Sequence, residues 1–355
     1  MFQLLSKKPP LLLGVDISAA AVKVVELGLM GTSYCVNSYG SELLPINAVV
    51  DKDIKDVEAV GHAIAQAIEK ANPSTEYAAA AVSSSAVMTK TIQLPATWQE
   101  EEMASQIEVE ASRYIPYPLE EISLDFQIVG ENSRDPNLVD VLIAACRNEN
   151  VELRVDALEL AGLTPRVIDV ESYVMERAFS LVAPRLPRKG DNLTVALVDI
   201  GATLTTLNVL HDHQVIYTRE QLFGGRQLLE SIQRRYKLTP EEAYMAERQG
   251  SLPADYAKDV LAPFHAAVAQ QISRALQFFF SSSTYSEINY IVLSGGSASQ
   301  PGLSEVVYEK VGSKVMVAEP LADMLIAPRV RTQLTKWDVP SLMISCGLAL
   351  RSFDR

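Results

Sequence analysis

The sequence predicts an α/β protein with two lobes that follow related plans. The segments 12–27 and 195–210 align so that Asp16 falls on Asp199, and an apolar strand-like run precedes and follows each aspartate. The two copies lie about 180 residues apart, a spacing that indicates two similar lobes, because solenoid repeats are far shorter. A third turn, 294–297, is rich in glycine and serine and follows a strand of the buried type. The 355 residues suffice for two hydrophobic cores.

Composition places the chain among folded proteins, with 48% hydrophobic and 21% charged residues. The net charge of −13 argues against a broad nucleic-acid surface, because such a surface needs a basic face. Cys35, Cys146 and Cys346 are too far apart for a zinc motif or a disulfide framework, which favours a reducing cytosol. The apolar run 11–13 is too short for a signal peptide or a membrane span. We therefore expect a cytoplasmic protein that reaches a membrane only through a partner.

The first half of the chain alternates strands and helices. We expect a strand-turn-strand over 11–28, a helix over 56–70, and two strands joined by a serine-rich turn within 78–94. A helix follows with a capping-box pattern from Thr97 to Glu100, and it ends before two nearby prolines. The elements expected next are strands over 122–129 and 138–145, a helix over 148–161, a strand over 167–169, a helix over 171–183 and a hinge or linker over 184–191. The part from 95 to 164 resembles a small helix-strand-strand-helix insert.

The second half repeats the strand-turn-strand pattern and then becomes mainly helical. The elements expected there are a strand-turn-strand over 193–210, a strand over 215–222, a helix opened by Gly224 and Gly225, a helix capped by Thr239, an amphipathic helix over about 256–282, a strand over 288–293 and a final helix over 340–351. This order places each aspartate turn directly after a strand of a different lobe.

Both aspartate turns carry residue types that bind phosphate. Small residues such as Gly201 let backbone N–H groups approach phosphate oxygens, and hydroxyls such as that of Thr203 add donors. Asp16 and Asp199 would repel bare phosphate but suit a magnesium ion, held directly or through its water shell. Either hairpin alone is better explained by the ordinary use of Gly and Asp in turns. The duplication and the third glycine turn reverse that preference and predict a nucleotide held between two turns.

The segment 114–118 contains Tyr114, Ile115, Pro116 and Tyr117 and has two interpretations. Its prolines end the preceding helix, which alone would explain the sequence. Two tyrosines and rigid prolines also make a surface of low conformational entropy that suits an extended peptide. The residues by themselves fit both interpretations equally well.

The histidines are expected to be structural. His211 and His213 flank Asp212, a pattern found both in metal sites and at hairpin tips. We favour the hairpin tip, because the sequence offers no further ligand nearby. His62 and His265 stand singly in helical segments and are expected to be structural or exposed.

Five segments occur in the order typical of the superfamily of actins, chaperone ATPases and sugar kinases, which the chain resembles. In chain order they are a phosphate segment (14–23), a connecting segment (167–179), a second phosphate segment (197–206), an adenosine segment (291–303) and a second connecting segment (340–350). The resemblance implies a two-lobed actin-like fold, a duplicated ribonuclease H-like fold, with an inserted subdomain of the FtsA type. Within that branch the chain is similar to the PilM family of the type IV pilus machinery, most specifically at 114–121, 198–207, 217–228 and 346–353.

The resemblance implies four subdomains. Their boundaries are 1–94, 165–190 and 340–355 for subdomain 1A; 95–164 for the inserted subdomain 1C on the partner-binding side; 191–228 and 288–339 for subdomain 2A; and 229–287 for subdomain 2B.

The resemblance also implies a site for ATP and Mg²⁺. Asp16 and Asp199 would face the Mg²⁺ ion through water, Lys23 would contact phosphate, and Glu171 would orient the attacking water. The residues implied to hold the cofactor are Asp16, Ser18, Lys23, Asp199, Gly201, Ala202, Thr203, Thr205, Gly224, Gly225, Gly295, Gly296 and Ser297.

Two departures from the superfamily pattern favour slow or absent ATP turnover. Ala19 stands where many relatives have a hydroxyl, and such a donor contributes about 0.5–1.5 kcal/mol net. The helix after Thr239 lacks the Ala-Glu-x-x-Lys pattern that contacts ribose and adenine, because its residues 243–247 read Ala-Tyr-Met-Ala-Glu. The turn after Asp199 keeps its glycine and threonines and is therefore expected to be the stronger half of the site.

The function that the resemblance implies is that of a cytoplasmic actin-like scaffold in pilus biogenesis and twitching motility. Relatives bind the cytoplasmic N-terminal tail of PilN in a groove between the first lobe and its insert, which favours the peptide interpretation of Tyr114, Ile115, Pro116 and Tyr117. The resemblance implies other pilus assembly proteins as further partners and association with the inner membrane through PilN. Whether the protein forms homo-oligomers is left open. The alternatives are a small-molecule kinase or phosphatase and an FtsA-like filament-forming protein.

Overall fold

A computed structural model describes residues 10–132, 134–335 and 337–354. Residues 1–9 and 355 of the predicted subdomain 1A, residue 133 of 1C and residue 336 of 2A lie outside this description. The strands, in chain order, are β1 (Leu13–Ile17), β2 (Ala21–Met30), β3 (Ser33–Leu43), β4 (Val49–Val50), β5 (Asp53–Ile54), β6 (Tyr77–Val82), β7 (Val87–Pro95), β8 (Ile122–Glu131), β9 (Leu138–Arg147), β10 (Thr164–Val170), β11 (Thr194–Ile200), β12 (Thr205–His211), β13 (Gln214–Gln221), β14 (Tyr290–Ser294), β15 (Lys314–Val317) and β16 (Leu325–Ile326).

Ten α-helices accompany these strands in the described ranges. They are α1 (Val57–Ala71), α2 (Glu100–Tyr114), α3 (Asn148–Leu160), α4 (Glu171–Val182), α5 (Arg226–Tyr236), α6 (Pro240–Gln249), α7 (Ala262–Ser282), α8 (Leu303–Val311), α9 (Pro328–Gln333) and α10 (Met343–Ala349). None of them combines the length and apolar character that are needed to cross a bilayer.

Two large sheets form the two lobes. The first has the strand order β10-β6-β1-β2-β3-β16, and the second has the order β13-β12-β11-β14-β15. In each, the aspartate hairpin lies inside the sheet, with β1 pairing antiparallel to β2 and β11 antiparallel to β12. Beside each hairpin runs a parallel strand, β6 in the first lobe and β14 in the second. The predicted duplication is therefore present as two sheets with equivalent centres.

Alternating side chains of β2 show why the first sheet carries helices on both faces. Val22 and Val24 are buried against α1 and α3, whereas Val25 and Leu27 are buried on the opposite face near α10. A strand covered on both faces reads as a nearly continuous apolar run, which is how this segment appears in the sequence.

Helix α4 packs against both large sheets. Its Val174 contacts the first-lobe residues Leu12 and Ala79, while Met175 and Phe179 pack beneath the second sheet. The helix begins at Glu171, directly after the edge strand β10. The first residue of α4 thus lies where the two lobes meet.

A third, small sheet of order β7-β9-β8 stands beside the first lobe. Helix α2 covers one of its faces through Met103 and Ile107, which pack on Val141 and Ile143. The helix starts at Glu100 with Gln99 as its N-cap, so the predicted capping box from Thr97 to Glu100 was wrong by two residues. The box that forms joins Gln99 and Glu102, whose side chain accepts from the Gln99 backbone N–H at 2.9 Å.

Several elements differ from the predicted boundaries. Strand β7 of the small sheet begins at Val87, before the expected limit of 95, and α3 packs on α1 in the first-lobe core. Strand β16 pairs with β3, so the chain returns to the first lobe before residue 340. The predicted hinge at 184–191 consists mainly of two short 3₁₀ turns with Leu186 buried between them. The division into four subdomains stays a prediction.

Strand β3 was absent from the expectations, and its composition explains why. The segment contains Ser38 and Gly40 at buried positions, where a sequence pattern would favour branched apolar residues. The small residue is required there, because a Cβ at Gly40 would lie 2.1 Å from the backbone oxygen of Ala67. Because α1 packs closely on β3, this strand carries small side chains in place of the branched apolar residues by which a buried strand is usually recognised.

We expect Gly14→Ala to lower the free energy of unfolding by about 1–3 kcal/mol, the usual cost of overpacking. A Cβ at Gly14 would lie 2.0 Å from the backbone oxygen of Ser345 and would push α10 away from β1. Urea denaturation measures the change. Gly130→Ala is the matched control, because a Cβ at Gly130 has no atom within 4 Å. Equal stability of the two variants would contradict this packing account.

Candidate functional site

A cleft of about 1620 Å³, including its open mouth, lies between the lobes. Both aspartate turns and the third glycine turn line it. The predicted residues that line it are Asp16, Ser18, Lys23, Glu171, Asp199, Gly201, Ala202, Thr203, Gly225, Gly295, Gly296 and Ser297. The structure therefore brings together most of the residues that the sequence singled out.

The first hairpin carries an ion pair within the cleft. Asp16 and Lys23 face each other across the β1–β2 register, and Lys23 Nζ donates to Asp16 Oδ2 at 2.9 Å. Burial alone would lower the pKa of Lys23, but Asp16 together with the more distant Asp199 raises it. Lys23 is therefore a charged donor at the place where phosphate was expected.

Ser18 serves its own turn. Its hydroxyl donates to the Ala21 carbonyl at 2.8 Å and accepts from the Ala21 backbone N–H at 3.3 Å. In this arrangement the hydroxyl is engaged, so any contact from this turn to an anion must come mainly from its backbone. The first turn is thus even poorer in free side-chain donors than its three alanines suggested.

The second hairpin is braced by glycine contacts. A Cβ at Gly224 would lie 2.5 Å from the carbonyl oxygens of Gly201 and Ala202, and the Gly225 N–H donates to the Gly201 carbonyl at 2.9 Å. The Thr205 hydroxyl donates to the Phe223 carbonyl at 2.8 Å. Neither Thr205 nor Gly224 lines the cleft. These two predicted site residues instead hold the turn against the start of α5.

The third glycine turn closes on the second hairpin. Gly295 has a φ of 91°, and a Cβ there would lie 2.4 Å from the Ile200 carbonyl oxygen, so only glycine fits. Asp199 accepts a hydrogen bond from the Ser294 hydroxyl at 3.0 Å. Burial raises the pKa of Asp199, the Asp16 charge adds to that rise, and Lys52 and Lys23 oppose it.

Helix α6 contributes a group of residues to the cleft. In the sequence, this helix was noted only because it lacks the Ala-Glu-x-x-Lys pattern. Tyr244, Glu247 and Arg248 all line the cleft. Glu247 is held by the side-chain amide of Gln300, and burial raises the pKa of Glu247. The spacing from Tyr244 to Glu247 and Arg248 is that of one helix face, which is the signal that would have identified them.

Lys52 is the other residue that was missed. It lies in the turn between β4 and β5 and contacts Glu171 of α4, while its Nζ also lies 3.4 Å from Glu220 Oε1 and 3.2 Å from Thr206 Oγ1. Glu171 is 8% exposed, and burial raises its pKa although Lys52 opposes the rise. No sequence motif marks Lys52, because its partners are more than 100 residues away.

A second depression, here called the groove, lies between the small sheet and helix α4. The edge strands of all three sheets, β8, β10 and β13, contribute to its walls. Asp169, Arg177 and Arg351 line it. Arg351 Nε lies 3.5 Å from Asp169 Oδ2, so these two side chains form an ion pair in the wall, and Arg177 contacts Asp354.

The tyrosine segment is not part of the lining of that groove. Tyr114 and Tyr117 are exposed at the end of α2, with Lys90 over the ring of Tyr114 and Arg147 near that of Tyr117. None of the predicted partner-binding residues Tyr114, Ile115, Pro116 and Tyr117 lines the groove. The segment ends α2, as its prolines required.

The histidine pattern forms a hairpin tip, as predicted. Asp212 and His213 make the two-residue turn between β12 and β13, and His211 contacts Thr194. His213 contacts Asp191 at 2.9 Å, and these two with Asp212 lie close enough to share an ion, although both aspartates are exposed. Such exposed clusters are common without a metal.

Comparison with known proteins gives consistent results. Residues 14–353 match the model of a family described as type IV pilus assembly protein PilM. The solved PilM–PilN type IV pilus biogenesis complex is similar with a TM-score of 0.78 and 26% identity, over 98% of this chain and 100% of that chain.

Two more distant structures share the fold alone. The ethanolamine utilization protein EutJ from Carboxydothermus hydrogenoformans has a TM-score of 0.57 and 18% identity, over 96% of this chain and 90% of its own. MreB 5 of Spiroplasma citri, solved with bound AMPPNP, has a TM-score of 0.50 and 11% identity, over 88% and 92%. The predicted two-lobed actin-like fold is confirmed.

We expect Asp199→Asn to raise the melting temperature in metal-free buffer at neutral pH. Burial raises the pKa of the carboxyl, so the folded state prefers the neutral form, and an amide still accepts from Ser294. The gain should shrink as pH falls through that raised pKa towards the ordinary aspartate value near 3.9, because the wild-type carboxyl then becomes protonated. Scanning calorimetry across pH measures it, with Asp156→Asn on the exposed face of α3 as control. Lower stability of Asp199→Asn at neutral pH would refute this electrostatic account.

Proposed function

The chain belongs to the PilM family of type IV pilus assembly proteins, and we propose that it is an ATP-binding scaffold that holds the cytoplasmic N-terminal tail of PilN. The observation that carries this proposal is that the cleft and the groove meet at the connection between β10 and α4. Asp169 and Val170 line the groove, and the next residue, Glu171, lines the cleft. Through PilN the protein would associate peripherally with the inner membrane and link it to other pilus assembly proteins.

The cleft supports the nucleotide half of the proposal. Backbone groups of the turns at 18–20 and 201–203 face it from opposite lobes, which suits a chain of phosphates held between them. Tyr244, Arg248 and Gly296 line the cleft on the second lobe and provide a ring, a cation and an open backbone for a nucleoside. MreB, which shares the fold, was solved with a nucleotide analogue bound.

The charges around the cleft floor support a divalent cation. Four carboxylates and two ammonium groups lie here. Lys23 pairs with Asp16, and Lys52 pairs with Glu171 and Glu220, whereas Lys23 and Lys52 act on Asp199 only from a greater distance. Oxygen donors are the ligands that Mg²⁺ prefers, and they are present on both strand ends. Asp16 and Asp199 would hold Mg²⁺ through its water shell, and the ion would offset the excess of negative charge beside the phosphates.

Slow or absent ATP turnover fits the same contacts. Glu171, the carboxylate expected to orient water, is engaged by Lys52, and the Ser18 hydroxyl is engaged within its own turn. Because Lys52 contacts Glu171, this carboxylate would have to exchange that partner before it could orient a water molecule. This arrangement favours a protein that binds a nucleotide to set its conformation, and it gives no support to a small-molecule kinase.

The groove supports the peptide half. An extended peptide can add to an exposed sheet edge through main-chain hydrogen bonds, and three edge strands meet here. The guanidinium groups of Arg177 and Arg351 line the groove and would add charged donors for such a peptide. A similar protein was solved as the PilM–PilN complex. For Tyr114 and Tyr117, a contact with PilN stays a prediction, because both lie outside the groove.

We expect Mg²⁺ to strengthen ATP binding by about tenfold, or ~1.4 kcal/mol, in the wild-type chain. In Asp199→Asn this enhancement should largely vanish, while binding in EDTA stays within about twofold, since the backbone donors are intact. Isothermal titration calorimetry with MgCl₂ or EDTA measures both. Asp156→Asn should behave as wild type. An undiminished Mg²⁺ effect in Asp199→Asn would remove this aspartate from the ion site.

We expect Ala144→Arg to weaken binding of a PilN tail peptide by about tenfold or more, because the side chain would occupy the groove. Ala144 lies on the face of the small sheet opposite α2, so the core stays intact. Ala266→Arg, the same change at an exposed position of α7, is the matched control. Fluorescence anisotropy of a labelled peptide measures the affinity.

The double variant Tyr114→Ala/Tyr117→Ala separates the two surfaces in the same assay. Full binding by that variant, with loss in Ala144→Arg, locates the peptide in the groove. Loss only in the tyrosine variant would instead support the surface at the end of α2 and contradict the groove proposal.

A further inference from the structure

We propose that Lys52 contacts the terminal phosphate of the bound nucleotide and so distinguishes a nucleoside triphosphate from a diphosphate. This inference rests on the proposed nucleotide binding in the cleft. It concerns a lysine on the short β4–β5 hairpin, which lies outside the two phosphate turns.

The backbone at Lys52 is one that lysine does not favour. Asp51 and Lys52 form the two-residue turn between β4 and β5, with φ values of 50° and 67°. Positive φ at both central residues is the geometry in which asparagine followed by glycine is preferred. A non-glycine residue there costs free energy, and such residues persist where the surroundings hold them, often at functional sites. Asp212 and His213 make a similar turn, and His213 also uses its side chain for tertiary contacts.

A buried arginine holds this turn in place. Arg154 of α3 is 4% exposed and donates from Nη2 to the Lys52 carbonyl at 2.9 Å, and from Nε to the Ala81 carbonyl at 2.6 Å. Val49 and Ile54 on the two sides of the turn are buried in the first-lobe core. The Lys52 backbone is therefore fixed to the first lobe, and the side chain extends from a rigid base.

The side chain of Lys52 reaches the second lobe. Its Nζ contacts Glu171 at the start of α4 and lies 3.2 Å from Thr206 Oγ1 of β12 and 3.4 Å from Glu220 Oε1 of β13. Glu220 in turn accepts from the Ser83 hydroxyl of the first lobe at 3.1 Å. Lys52 thus bridges the lobes at the floor of the cleft.

Lys52 keeps its charge in this position. Burial alone would lower the pKa of Lys52, but Glu171, Glu220 and the more distant Asp199 raise it well above the ordinary lysine value. A buried ammonium group with several acceptors can exchange one of them for a phosphate oxygen without leaving the site, because phosphate is also a strong charged acceptor.

The terminal phosphate is the group that Lys52 can reach. In the proposed site Glu171 would orient the water that attacks the terminal phosphate and Asp199 would hold the metal beside it, and both carboxylates are charged neighbours of Lys52. The nucleoside side of the cleft is formed by other elements, with Tyr244 and Glu247 on α6. A triphosphate would draw Lys52 away from Glu171 and Glu220, whereas a diphosphate would leave those contacts in place.

The test compares the affinities of MgATP and MgADP for the full chain by isothermal titration calorimetry. The variants are Lys52→Met and Lys52→Gly, with Lys55→Met as the matched control. Lys55 lies just after the same hairpin, but its side chain is 55% exposed and pairs only loosely with Asp53 at 3.4 Å. Both variants remove the ammonium partner of Glu171 and Glu220. Glycine also relieves the cost of the positive φ in this turn, so Lys52→Gly is the second variant in case Lys52→Met does not fold.

We expect wild type and Lys55→Met to bind MgATP about tenfold more tightly than MgADP, and both Lys52 variants to bind the two nucleotides alike. An unchanged MgATP preference in the Lys52 variants, or equal binding of the two nucleotides by wild type, would overturn the role of Lys52 while leaving nucleotide binding intact. Absence of any nucleotide binding by folded wild type would overturn the proposed function itself, and this inference with it.

Discussion

Two carboxylates near the ends of equivalent strands, that of Asp16 buried and that of Asp199 partly buried, set the main physical constraint on this molecule. Asp16 and Asp199 are the next-to-last residues of β1 and β11, and a charge held away from water must be compensated by nearby groups. The compensation differs between the two lobes. Asp16 contacts the ammonium group of Lys23, whereas the direct side-chain partner of Asp199 within the described part of the chain is the hydroxyl of Ser294. The second lobe therefore keeps the greater need for an external cation, which agrees with its better preserved phosphate turn.

Helix α4 connects this constraint to the rest of the molecule. One side of the helix packs in the first lobe and the other beneath the second sheet, so it must move whenever the lobes change their relative position. Its first residue, Glu171, lies in the cleft, while Tyr173 and Arg177 line the groove. Two ligands that favour different lobe positions would therefore affect each other through this single helix, which is the condition for coupled binding.

The fold was predictable from the sequence because it depends on patterns that are local or repeated. The duplicated hairpins at Asp16 and Asp199 predicted two related lobes. The third glycine turn, which follows them in the chain, predicted that all three turns line one site. Strand β3 was not predictable, since close packing of α1 selected Gly40 and other small residues over a recognisable apolar pattern. The start of α2 was misplaced because Thr97 offered a plausible cap, whereas Gln99 makes the capping contacts.

The site was predictable where backbone geometry selects residue types, and not where tertiary contacts do. Gly201 and Gly295 were identified because only glycine permits their close approach. Thr205 and Gly224 were also identified, but they hold the second turn and do not line the cleft. No sequence pattern identified Lys52 as a site residue, because its position in the cleft depends on contacts with residues in distant segments. The groove is lined by edge strands, and the predicted contact of the tyrosine segment at 114–118 with a peptide stays a prediction.

A crystal structure of the chain grown with Mg²⁺ and a non-hydrolysable ATP analogue tests the central claim most directly. The account predicts phosphates between the turns at 18–20 and 201–203, with the ion near Asp16 and Asp199. Lys52 should then contact the terminal phosphate in place of Glu171. An analogue bound outside the cleft, or bound within it without contacts to both turns, would contradict the claim that the paired hairpins hold a nucleotide.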